Sequence, residues 1–284
     1  MRSAVTALLW LATTVALAAA IPAAWLQLNV IDEAGYARLA REAAGDPALQ
    51  SAMASELATR AMALIAERGG GRYPVDGARV HDVASAFTAG PGFPPLFAQA
   101  NRAAHAWLFT DPPPGRTGNQ WVIDVAPMLD DSAFRQVLSG HDVTVPANLT
   151  VPLTVSMPAS LRQGRLSRLA TWGPGVSIGA AALGGLFALL TLAAARRRGK
   201  ALSALGVSAL LVGAAGWAGI EAGRRHIDDA LNRTTGDIRQ IAEVMVAHAE
   251  AGLRHWLDLT LVAGVVLVGL GVLVAIAGGL GKKA

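Results

Sequence analysis

The side chains in this sequence that could perform chemistry are few and widely spaced. The chain has six histidines, 20 acidic residues and no cysteine, which excludes thiol nucleophiles, thiolate metal ligands and disulfides. His81–Asp82 and His141–Asp142 are adjacent pairs, and neighbours in sequence point in different directions on a helix or a strand. His248 and His255 share a helical face but lie two turns apart. No HExxH occurs, and no phosphate-binding GxxxxGK[ST]. No metal, cofactor or catalytic residue is expected, and the reading leans away from an enzyme.

The most suggestive polar cluster is Asn101, Arg102 and His105, within "FPPLFAQANRAAHAWLF". Asn101 and His105 are four apart and so share a helical face, with Leu108 and Phe109 a turn further on. The cluster reads either as a polar ligand contact or as a histidine satisfied inside a core, which is the commoner use. Asp124 in "WVIDVAP" and the pair Asp130–Asp131 stand where strands end and helices begin, as ordinary caps do. Asn148–Leu149–Thr150 and Asn232–Arg233–Thr234 match glycosylation acceptors by spacing alone.

The elements that must carry these residues are dominated by apolar sequence. The 284 residues are 53% hydrophobic and 15% charged, against about 25% charged in an ordinary soluble domain. Mean hydropathy is +0.41. Four stretches match the roughly 20 apolar residues needed to cross a bilayer core: 4–26, 174–195, 201–220 and 257–280. Their interiors hold no ionisable residue except at the ends, where Glu221 and Asp258 sit near Arg224, Arg225 and Arg254. Proton relays and ion paths need ionisable groups inside spans, so a pump or self-contained transporter is a poor fit. The many glycines in these stretches are the small residues that let membrane helices approach closely.

Charge placement orients the spans. Arg2, Arg196, Arg197, Arg198, Lys200, Lys282 and Lys283 occupy the two termini and the turn between the second and third spans, with no acidic residue among them. Short loops rich in Lys and Arg stay in the cytoplasm. The expected layout is therefore a multi-pass protein of the bacterial inner (cytoplasmic) membrane with both termini inside. The basic turn could also meet anionic lipid headgroups. The net charge of +4 belongs to this topology signal, and no nucleic-acid partner is expected. Trp25, Trp172, Trp217 and Trp256 fall at the other boundary of the spans, as an interfacial aromatic belt would. The first stretch also resembles a signal peptide. Its apolar run to Leu28 and the placement of Trp25 favour a retained helix.

These signals divide the chain into a first span at 1–26, an extracytoplasmic domain at 27–172 and a second span at 173–195. A cytoplasmic basic hairpin at 196–200, a third span at 201–220 and an amphipathic outer segment at 221–256 follow. A fourth span at 257–280 and a tail at 281–284 complete it. In the large domain, Asp32, Asp46 with Pro47, and Gly69–Gly71 mark helix starts and a stop. A third helix runs through Val80, Val83, Ala84 and Phe87, and a fourth carries the Asn101 cluster. "QWVIDVAPML" and "NLTVPLTVSM" alternate like strands, with a short helix from Pro127 to about Leu138 between them. The fold class is mainly α: four transmembrane helices and a mostly helical domain with a small two-stranded sheet.

In the outer segment Ile227, Leu231, Thr234, Ile238, Ile241 and Met245 recur in steps of four and three. That is the seam of a helix docked on other helices, with Gly236 as a possible break.

The order of parts resembles a loose, uncharacterised group of bacterial four-span integral membrane proteins with a helical extracytoplasmic domain. Its local carriers here are "FPPLFAQANRAAHAWLF" and "WVIDVAPMLD". The resemblance covers the chain in layout and implies no functional residue. The expected role is a non-enzymatic accessory or scaffold subunit of a cell-envelope complex, lipid or transport related. Its expected partners are membrane lipids and other envelope membrane proteins or further copies of itself. An extracytoplasmic ligand sensor is the alternative, and an envelope enzyme the third.

Overall fold

Aspartates start the helices of the polar segment. Asp32 caps α2 (Glu33–Ala43) by accepting from the Gly35 N–H, and Asp46 caps α3 (Pro47–Arg68), whose first residue is proline. Asp76 caps α4 (Gly77–Thr88), and Asp131 caps α7 (Ser132–Ser139). Each carboxylate pairs a backbone N–H that the helix cannot satisfy itself, worth about 1 kcal/mol. Gly69 closes α3. The α5 helix (Phe93–Phe109) follows Gly92 and places prolines in its first turn, where a missing N–H does no harm.

The structure is a computed structural model that describes residues 2–69, 76–111, 122–152, 163–195, 197–232 and 236–280. Among these residues it contains ten α-helices and one two-stranded antiparallel sheet. The strands β1 (Val122–Asp124) and β2 (Thr150–Pro152) pair Val122 with Pro152, Ile123 with Val151 and Asp124 with Thr150. Asp124 does more than cap: its Oδ1 accepts from Ala126 N at 2.9 Å and from Leu149 N at 2.8 Å, tying both strand ends together. The single helix expected from Pro127 to about Leu138 is two, α6 (Ala126–Leu129) and α7. The break falls at Asp130–Asp131 because the Asp131 side chain takes the Ala133 N–H and restarts the helix.

The chain forms two units: Met1–Leu28, Thr171–Arg225 and Glu250–Ala284 in one, Asn29–Ala170 and His226–Ala249 in the other. The second unit is built around large side chains. Leu49, Leu57, Phe93, Met128, Leu129, Phe134 and Leu138 are essentially inaccessible. Phe87 meets Phe93 and Phe134 edge-on at centroid separations of 5.9 and 5.7 Å, a geometry worth roughly 0.5–1.5 kcal/mol per pair beyond area burial.

The first unit holds α1 (Arg2–Leu26), α8 (Ser167–Ala194) and most of α9 (Arg198–Leu231) and α10 (Gly236–Leu280). All four helices are long and apolar enough to span a bilayer, and the protein is a multi-pass membrane protein. The α9 and α10 helices outrun their apolar stretches. The expected boundaries at 220 and 257 are changes of composition rather than helix ends, because charged residues such as Glu and Arg are good helix formers. A π-helical turn, Gln27–Ile31, follows α1.

Small residues set the packing of α9 on α10. A Cβ added at Gly206 would lie 2.6 Å from the Gly264 carbonyl oxygen, and one at Gly199 would lie 2.6 Å from that of Gly271. Gly271 in turn lies against Ser203. Polar ties join α1 to α9: Trp10 Nε1 donates to the Ala204 carbonyl at 2.8 Å, and the Thr14 and Ser208 hydroxyls meet at 2.8 Å. At the other end of the α9–α10 contact, Glu250 receives both Arg224 at 3.1 Å and Arg254 at 3.2 Å. Asp258 is met by the Trp217 indole at 3.1 Å and Arg254 lies over the Trp217 ring. The tryptophan belt is uneven: Trp172 is 71% exposed, whereas Trp25 is 6% exposed and packs beside Gly252.

Candidate functional site

The second unit forms a partly open cavity of about 320 Å³. From α2 it receives Tyr36, from α3 Met53 and Glu56, and from α5 Phe97, Asn101 and Ala104. The sheet and α6 add Ile123, Val151 and Met128, and further wall comes from the end of α9 at Leu231 and from α10 through Ile238, Ile241, Ala242 and Met245 among others. Each position follows from local pattern. Phe97, Asn101 and Ala104 recur at helical spacing on the buried face of α5, and Ile238, Ile241 and Met245 recur at three and four along α10 and pack against the core.

Among the described residues the walls are almost wholly apolar, with three polar exceptions. The Tyr36 hydroxyl donates to Asn101 Oδ1 at 3.4 Å, and Asn101 Nδ2 donates to the Phe97 carbonyl at 2.9 Å. Burial pushes the Tyr36 phenol above its ordinary value, so it stays a neutral donor. Glu56, 8% exposed, is held by Arg60 at 2.7 Å. Asp237, in the part of α10 that belongs to the second unit, has its carboxyl pushed up by partial burial and then by the nearby Glu56 charge, with His81 opposing.

The structure divides the sequence-predicted cluster. Asn101 and His105 are buried and Arg102 is exposed on the other face. His105 Nε2 meets the Val30 carbonyl at 2.9 Å, which makes it the protonated ring nitrogen, and the ring stacks on Phe109 at 4.2 Å. The histidine is thereby satisfied as a core residue, while Asn101 faces the cavity. Of the basic turn, Arg197, Arg198 and Lys200 are exposed at the start of α9; Arg196 and the 281–284 tail lie outside the described residues. Of the expected seam, Ile238, Ile241 and Met245 pack on the core, Leu231 lines the cavity and Ile227 is half-buried on α9. Thr234 lies outside the described residues. Gly236, with φ +59°, begins α10 in a conformation glycine adopts without strain.

Among the described residues no group of three His, Cys, Asp or Glu could hold a metal ion. One G-x-S-x-G does occur, Gly175-Val176-Ser177-Ile178-Gly179. It lies inside the apolar run of α8, not on the strand-to-helix turn that exposes a nucleophile, so it has the wrong context for catalysis. Sequence reasoning missed Tyr36, Met53, Glu56 and Met128 as cavity residues, because each lies in an unremarkable amphipathic pattern and they converge only in space.

Compared with protein-family models, with curated proteins and with solved structures, the chain matches none.

Proposed function

We propose that this protein is a non-enzymatic binding subunit of the bacterial inner membrane that holds an apolar small molecule in its second unit, on the extracytoplasmic side. In this role it serves as an accessory component of a lipid- or transport-related envelope complex. The cavity carries the reading: its volume of about 320 Å³ and apolar lining match a small-molecule site, typically about 300–1,000 Å³ with few polar groups. The orientation rests on the seven basic residues confined to the termini and the 196–200 turn. Retention of α1 is supported by its part-buried ties to α9, Trp10 to Ala204 and Thr14 to Ser208. A sensor would use the same cavity, but the 196–200 turn between the second and third spans is too short to form an output module.

Extraction of the purified full chain into organic solvent, followed by mass spectrometry, tests the binding. An apolar molecule enriched over bulk lipid in the wild type and lost in Ala242→Phe supports it; equal recovery from both overturns it. Orientation is read by single-cysteine labelling in this cysteine-free chain. Gly199 is unsuitable, since any side chain there meets the α10 backbone; exposed Lys200 and Asn232 are the better positions. An impermeant thiol reagent on intact cells, with the outer membrane permeabilised, should label Asn232→Cys and spare Lys200→Cys. The reverse pattern refutes the orientation.

A further inference from the structure

We infer that the cavity selects an uncharged single-chain amphiphile, one carrying a hydroxyl or similar neutral head, over anionic or cationic lipids. The inference rests on the binding role proposed above and adds the ligand's chemical class. Size comes first: about 320 Å³ is near the lower end of small-molecule sites, room for one hydrocarbon chain rather than a two-chain lipid.

Charge comes second. Among the described residues no Lys, Arg or His lines the cavity, and the charged one that does is Glu56, already engaged by Arg60 at 2.7 Å. A carboxylate or phosphate head would enter against that negative charge, and against Asp237 nearby, with no cation to receive it. Bringing an ion out of water without a partner is strongly unfavourable. An ammonium head would have to compete with Arg60 for its carboxylate.

The neutral polar pair comes third. Tyr36 and Asn101 meet at 3.4 Å, beyond the usual 2.5–3.0 Å or so of an O–H···O bond. Asn101 Nδ2 is committed to Phe97, so its Oδ1 is the acceptor left facing the phenol. A ligand hydroxyl that spreads this weakly held pair apart donates to Asn101 Oδ1 and accepts from Tyr36, replacing one long contact by two of ordinary length. Tyr36 remains a neutral donor for this purpose because its burial opposes ionisation.

The test uses the full chain in phosphatidylcholine nanodiscs at pH 7 with four diazirine-bearing probes of equal length: a dodecyl alcohol, a dodecanoic acid, a dodecyl amine and dodecane. Peptide mapping separates cavity labelling at 97–104 and 236–246 from labelling of the spans. The alcohol should label the cavity peptides at least ten-fold more than the acid or the amine. Tyr36→Phe should lower its advantage over dodecane roughly two- to ten-fold, the worth of one hydrogen bond. Labelling by acid or amine equal to that by alcohol overturns the inference and leaves the cavity role standing. Absence of cavity labelling by every probe removes the cavity role itself. The wild-type probe series decides the matter even where a variant fails to fold.

Discussion

The two units of this chain bury themselves by opposite means. In the membrane unit the tight contacts are made by glycine, serine and threonine, and large side chains such as Leu8, Leu189 and Val262 point outward. In the second unit the tight contacts are made by Phe, Leu and Met, and among its described residues only Leu169 is a large apolar side chain left exposed. The difference is one of solvent. Lipid tails are as apolar as leucine, so helices gain by bringing backbones together; in water the gain comes from removing large apolar surface. The same leucine therefore reads as surface in one unit and as core in the other.

Breaking each unit by its own logic should separate them. The largest effect is expected from Phe134→Ala, which empties a fully buried position packed edge-on against the Phe87 ring and costs about 3–5 kcal/mol. Limited proteolysis should then digest the second unit readily while the spans stay in the membrane fraction; resistance equal to wild type would mean that the ring is not a keystone. Next, Gly206→Val introduces a Cβ only 2.6 Å from the Gly264 carbonyl oxygen. Overpacking of this kind typically costs about 1–3 kcal/mol. Detergent-solubilised protein should show a lower unfolding temperature and cysteine pairs across α9–α10 should lose crosslinking, whereas an unchanged yield of crosslinks would contradict the close approach.

Subtler is Thr14→Val, which removes the hydroxyl contact with Ser208 at 2.8 Å. Hydrogen bonds between membrane helices average about 0.6 kcal/mol, and a double-mutant cycle with Ser208→Ala should return a coupling of that order. A coupling of zero would show that the two hydroxyls do not interact. The smallest effect belongs to Arg239→Ala. Its pair with Glu243 at 2.7 Å is exposed on α10 and is worth about 0.3–0.5 kcal/mol, so thermal stability should hardly move. A loss of several degrees would place this face of α10 against something.

Much of this was legible along the chain. Asp32, Asp46 and Gly69 announce their helix ends because capping is a local transaction between neighbours. The four apolar stretches are visible because the bilayer demands a continuous run. Two things were not legible. Helices α9 and α10 continue past their apolar stretches because nothing in backbone geometry registers the change from lipid to water; only side chains do. The cavity was hidden for a different reason. Tyr36 and Asn101 are 65 residues apart, and Tyr36 within "DEAGYARLAREAA" looks like one more amphipathic position. The Asn101–His105 spacing pointed to the right face of α5, but it could not tell which member turns to the cavity and which is satisfied by Val30.

The size of the sheet has a consequence for self-association. Its ladder has three residue pairs and closes on Pro152 opposite Val122. Proline has no N–H to offer at that edge, and so short a strand exposes few unpaired backbone groups. Long, regular edges are what recruit foreign strands into aggregates. Within its described residues this domain carries β structure without a template for templated growth, so contact between copies of it would have to be written in side chains.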